Sequence, residues 1–144
     1  MNPLPADKFK AILKKKEMKE TPQRLAVHSV MCKLVHAGAE DVWKELSGVP
    51  GLRITKSSVY NILEEMCSRG IYSKVLTPDS RMVFDVCAEP HMHLVCENEG
   101  PVMDIENDEL TDKINDYFKR RRFRGFKIEG IRTCVLAHPT KKPR

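Results

Sequence analysis

His91 and His93, with Asp85 upstream and Asp104 downstream, are the residues of this chain whose types and spacing suit metal coordination. Alternation along a strand puts both imidazoles on one face and Met92 on the other. The segment Glu97-Asn98-Glu99-Gly100 reads as a four-residue loop, and pairing of Cys96 with Pro101 across it sets His93 opposite Asp104. Directly opposed residues have Cβ atoms about 4.5–5.5 Å apart, near enough for one ion to bridge an imidazole and a carboxylate at about 2.0–2.2 Å from each.

The elements that must hold these groups divide a chain of 144 residues into two small domains. Hydrophobic content of 41% and charged content of 31% suit a soluble globular protein. No apolar run approaches the roughly 18 residues of a membrane span, so no membrane partner is expected. Met1-Asn2-Pro3-Leu4-Pro5 leads into lysines with no apolar leader, which points to the cytoplasm. The odd set of cysteines at 32, 67, 87, 96 and 134 has no framework spacing and implies a reducing compartment without structural disulfides. Net charge is +5, and residues 1–35 alone carry eight Lys/Arg against three Asp/Glu. Such a basic front can neutralise phosphates or simply be a solvated helix face.

Apolar spacing predicts a helix over Asp7 to Met18 through Phe9, Ile12 and Leu13. Thr21 then caps a second helix with Pro22 in its first turn, and His36-Ala37-Gly38 is read as its end. A third helix fits Ala39 to Leu46, and a fourth runs from Thr55 to Arg69, stopped by Gly70, with Val59, Ile62, Leu63 and Met66 inward. Its outer face, with Lys56, Ser57, Tyr60 and Asn61, is what a DNA major groove accepts. Strands Ile71 to Leu76 and Arg81 to Val86 complete a winged helix-turn-helix over residues 1–86. Residues 87–90 form the hinge. Strands over 91–96 and 101–105, a helix from about Asp108 to Arg121 and a strand over Phe126 to Ala137 give a β-β-α-β module in 91–137, followed by a mobile tail, 138–144. The fold class is therefore α+β. The second module has a thin core and open edges that an identical copy would cover, so a homodimer is expected.

Over nearly its whole length the chain resembles the ferric uptake regulator family. Thr21-Pro22-Gln23-Arg24, His36 followed by Ala39-Glu40-Asp41-Val42-Trp43, Ser58-Val59-Tyr60-Asn61, His91-Met92-His93-Leu94-Val95-Cys96 and Gly125-Phe126 stand in the family's order and spacing. The resemblance implies a dimeric, metal-responsive transcription repressor that binds a palindromic double-stranded DNA operator and is not an enzyme. It also implies a regulatory metal site made by His36, Asp85, His91, His93 and Asp104. Three imidazoles and two carboxylates without thiolate suit Fe²⁺ or Mn²⁺ and also accept Zn²⁺. His36 taken alone would read as an ordinary helix C-terminal cap.

Asn61 after Tyr60, and aspartate at 104, look like the peroxide-sensing branch, in which bound Fe²⁺ reacts with hydrogen peroxide and a histidine ligand, here His36 or His91, is oxidised. Pro90 and Met92 stand where the iron-uptake branch often has extra ligands. The family's structural zinc uses two C-x-x-C pairs, whereas here Cys96 is followed by Glu99, and Cys134 by Ala137 and His138. A degenerate site of Cys96, Glu99, Cys134 and His138 is conceivable by residue type; the reading favours a module without structural zinc.

For DNA, Tyr60 is expected on thymine methyls and Asn61 on a base edge, with Ser57 and Ser58 beside them. Lys15, Lys16, Arg24 and Lys56 are expected on phosphates. The competing reading of Tyr60 is a half-buried aromatic supporting the wing. A 2-His-1-carboxylate oxygenase is the alternative of another class, and the few strands here cannot close the barrel it needs.

Overall fold

The chain folds as α+β, and the computed structural model describes residues 4–89, 91–98, 100–106 and 108–140. Pro90 of the expected hinge, Glu99 and residues 141–144 of the expected tail lie outside the described residues. Two units are distinguished: residues 1–76 with 80–88, and residues 77–79 with 89–144.

In the N-terminal unit, α1 (Ala6–Lys15), α2 (Pro22–Leu34), α3 (Ala39–Ser47) and α4 (Lys56–Ser68) surround one apolar core. The Thr21 hydroxyl accepts from the Arg24 amide at 3.1 Å, and the Thr55 hydroxyl accepts from Ser58 at the same distance, so both caps satisfy amides that a helix start leaves open. Phe9, Leu13, Val27, Met31, Val42, Val59 and Leu63 are wholly buried. Each such side chain contributes about 1.5–3 kcal/mol of burial. The first helix stops at Lys15, short of the expected Met18, because Glu17 turns to φ 56° and the Met18 amide donates back to Leu13. Lys16 is consequently the residue after the helix.

A correction concerns His36. The second helix is ended by Val35, at φ 64° and ψ −53°, and His36–Ala37 forms a short strand, β1. This strand pairs antiparallel with β3 (Met82–Asp85), which also pairs with β2 (Ser73–Leu76), giving the order β1-β3-β2. Together with α3, the turn and α4, this sheet makes the winged helix.

In the C-terminal unit, β4 (Met92–Cys96) is the central strand between antiparallel β5 (Val102–Ile105) and parallel β6 (Cys134–Ala137), with α5 (Asp108–Lys119) in the connection. The strand expected over Phe126 to Ala137 is ladder-paired only at 134–137. β4 offers five residues to pair with, so most of the longer segment lies outside the ladder.

Candidate metal centre and nucleic-acid interface

The C-terminal unit gathers three of the expected ligands through strand register. His93 stands opposite Asp104, as the loop length implied, and the Cys96 amide donates to the Pro101 carbonyl at 3.0 Å. The loop depends on Gly100, where a Cβ would come within 2.5 Å of the Cys96 Cβ. His91 Nε2 lies 2.9 Å and His93 Nε2 3.4 Å from Asp104 Oδ1, and the two rings are 4.4 Å apart.

The tautomer of His91 follows from its other nitrogen. Nδ1 is 2.7 Å from the Glu89 carbonyl, which only accepts, so Nδ1 carries the proton and donates. A neutral His91 then turns the lone pair of Nε2 toward the Asp104 carboxylate. Two acceptors at 2.9 Å repel unless a proton or a metal cation sits at the site. Orientation of a ligating imidazole by a backbone carbonyl on its far nitrogen is the usual support of a metal-binding histidine. Nothing in the residue types signals it, since any residue at 89 supplies a carbonyl.

The N-terminal unit brings the other two together. β1 sets His36 opposite Asp85, with Nε2 3.0 Å from Oδ2. The Asp85 carboxylate is wholly buried, and its other oxygen accepts from the Cys87 amide at 2.8 Å. A buried carboxylate is costly unless hydrogen-bonded or paired. Both groups offer the imidazole nitrogens and carboxylate oxygens that suit first-row divalent ions.

The cysteine positions do not converge in the same way. On parallel strands, Cys134 is paired with His93 and Cys96 with Ala137, an offset of three residues. Among the described residues, Cys96, Cys134 and His138 form no group that could share an ion. The fourth candidate, Glu99, lies outside the described residues.

On α4, Ser57, Tyr60 and Asn61 are exposed, whereas Ser58 is half-buried and its hydroxyl accepts from Thr55 at 2.9 Å. Tyr60 is 46% exposed, with its ring edge-on to Phe84 at 6.2 Å, so the ring packs on β3 and still presents surface to solvent. Lys56 lies 3.5 Å from Glu40 and 5.0 Å from the Trp43 ring centre. Lys15 is exposed and Lys16 half-buried. Arg24 differs from the other cations: its guanidinium makes a two-pronged contact with Glu65 at 2.9 and 3.1 Å and its side chain is 17% exposed. It ties α2 to α4 and has little surface left for a phosphate.

The model of the ferric uptake regulator family matches residues 15–133. The peroxide operon regulator of Bacillus subtilis (strain 168) is 31% identical over 102 residues, 69% of this chain and 69% of that protein. The peroxide-responsive repressor PerR of Staphylococcus aureus (strain NCTC 8325 / PS 47) is 27% identical over 104 residues, 71% of this chain and 69% of its own. Among solved structures, the ferric uptake regulator from Pseudomonas aeruginosa with manganese has a TM-score of 0.71 at 23% identity, covering 92% of this chain and 98% of that one. At that identity the likeness is one of fold.

Proposed function

The chain belongs to the ferric uptake regulator family, and we propose that it is a dimeric, metal-dependent DNA-binding repressor that senses peroxide through a bound divalent iron. The observation that carries this reading is the pair of half-sites. His36 and Asp85 lie on one unit, while His91 and His93 stand against Asp104 on the other. One divalent ion taking ligands from both would fix the angle between the units and so the separation of two recognition helices in a dimer. The ion shifts that equilibrium only by the difference between its affinities for the competent and incompetent arrangements.

His36, Asp85, His91, His93 and Asp104 would hold the Fe²⁺, which would supply reducing electrons to hydrogen peroxide, the ligand ring being oxidised in the same overall reaction. The chain's own contribution is restraint. The Glu89 carbonyl accepts from His91 Nδ1, and Asp85 Oδ2 lies 3.0 Å from His36 Nε2, so both rings are oriented by a hydrogen-bonding partner. Oxidation of either ring removes a ligand, loosens the units and releases DNA. No substrate is turned over.

The α4 face, with Ser57, Tyr60 and Asn61, enters the major groove, and Lys15, Lys16 and Lys56 take phosphates. Ser58 and Arg24 support that face from within, by the Thr55 cap and the Glu65 ion pair. Dimerisation through the C-terminal unit is supported by its exposed apolar side chains, among them Met103, Leu110, Tyr117 and Leu136. Mass spectrometry after peroxide treatment of the iron-loaded and manganese-loaded protein tests the reading. Gain of one oxygen on the peptide carrying His36 or His91, in the iron form only, is expected. Intact histidines with iron-dependent operator binding would assign the chain to iron-responsive regulation instead.

A further inference from the structure

Glu64 and Glu65 are consecutive on α4 and are held by different elements. Glu65 takes the Arg24 guanidinium of α2, while Glu64 Oε2 accepts from Lys74 Nζ on β2 at 2.8 Å. Lys74 stands opposite Phe84 in the β2–β3 ladder, so both side chains leave the same face of the sheet. Phe84 is the residue whose ring meets Tyr60 edge-on. Tyr60 and Glu64 are one turn apart on α4 and share a face of the helix. Two side chains of the helix thus meet two of the wing, ring on ring and carboxylate on ammonium.

The two contacts restrain different things. An edge-on ring pair is satisfied over a range of separations and offsets, whereas a charge-assisted hydrogen bond is short and directional. The rings hold helix against wing, and the ion pair fixes where along the wing the helix sits. That position is carried one turn back to Tyr60 and Asn61. Both members of the pair are 29% exposed, and an ion pair so placed contributes little to stability. Its second effect is on charge. Glu64 lies one turn beyond the groove-facing residues of α4, where an unpaired anion would repel phosphates, and Lys74 cancels it.

We infer that Glu64 and Lys74 are positioning residues for DNA recognition: their ion pair sets Tyr60 and Asn61 against the bases and keeps the wing side of α4 neutral toward the phosphates. The inference rests on the DNA-binding reading of α4.

The native full chain, loaded with Mn²⁺, is first used to enrich a duplex from a random-sequence pool. Affinities for that duplex and for random duplex are then measured at fixed salt for Glu64→Gln, Lys74→Gln and the double exchange of Glu64→Lys with Lys74→Glu. Each single variant should lower the ratio of enriched to random affinity about tenfold. Random-duplex affinity should move in opposite directions, rising about threefold in Glu64→Gln, which loses an anion, and falling about threefold in Lys74→Gln, which loses a cation. The double exchange restores an ion pair and should return the ratio to within about threefold of the native value. The inference is overturned if both single variants keep the native ratio or if the double exchange recovers nothing. It is equally overturned if both single variants shift random-duplex affinity the same way, as a general loosening of the unit would. A pool from which the native protein enriches no sequence removes the DNA-binding reading and this inference with it, whereas a clear native preference that both single variants retain removes this inference alone.

Discussion

His36 stands opposite Asp85 in an antiparallel pair, its Nε2 3.0 Å from Oδ2 of a carboxylate that has no exposure to solvent. The relationship depends on the residue before it. Val35 holds a left-handed backbone at φ 64°, which costs a branched residue about 1–3 kcal/mol and is sustained only where surrounding structure fixes it. The Val35 carbonyl accepts from Val86 at 3.1 Å, which stitches the reversal to the end of β3. Local strain is thus spent on placing one imidazole.

Asp85→Asn keeps the size of the side chain and an oxygen for the Cys87 amide but removes the charge. Metal-stimulated operator binding should weaken about 10–100-fold, the range seen when groups supporting or forming a metal site are lost. Circular dichroism of the metal-free protein should stay unchanged. A variant with normal metal response would remove Asp85 from the site.

Tyr60→Ala should lower the ratio of operator to random-DNA affinity by the equivalent of about 1–3 kcal/mol, the usual worth of a base-edge contact. Competition binding at fixed salt reads this. An unchanged ratio together with a lower melting temperature would confine the ring to its packing against Phe84.

Arg24→Gln breaks the Glu65 pair that joins α2 to α4, and the side chain is only 17% exposed. Loss of about 1 kcal/mol of stability is expected. Specific and non-specific DNA binding should fall together, because the whole helical platform loosens. Selective loss of operator binding would contradict this role.

His28 gives the fold a pH limit. It is buried, with Nδ1 2.7 Å from the Tyr72 hydroxyl and Nε2 2.8 Å from the Leu4 carbonyl, and its ring stacks on Phe9 at 3.8 Å. Burial pushes its pKa below the ordinary value of 6.5, against the smaller pull of the Leu4 carbonyl. The unfolded chain therefore binds more protons than the folded one below 6.5. Stability from this residue is full above that value and is lost as the pH falls toward the depressed folded pKa. Urea unfolding from pH 7.5 to pH 5 should show this decline in the native protein and a flatter profile in His28→Gln; equal slopes would remove His28 as the cause.

Parts of this architecture were legible in the residues. The His93–Asp104 register followed from one loop length, because period-two alternation leaves no freedom once a hairpin is closed. The helix start at Thr21 followed from a hydroxyl placed before an apolar stripe. β1 was not legible, because two residues carry no periodicity and its direction comes from an unusual Val35 backbone. The strand read over Phe126 to Ala137 also overran β6, since the extent of a ladder is set by the partner strand and not by the segment itself. Arg24 read as a phosphate cation because its partner, Glu65, lies forty-one residues away in sequence.

Calorimetric titration of Mn²⁺ into the full-length protein, His36→Ala and Asp104→Asn tests the shared site most directly. One ion per chain is predicted, with affinity reduced about 10–100-fold by either substitution. Two weaker ions per chain, each sensitive only to the substitution in its own unit, would contradict a single ion held by both.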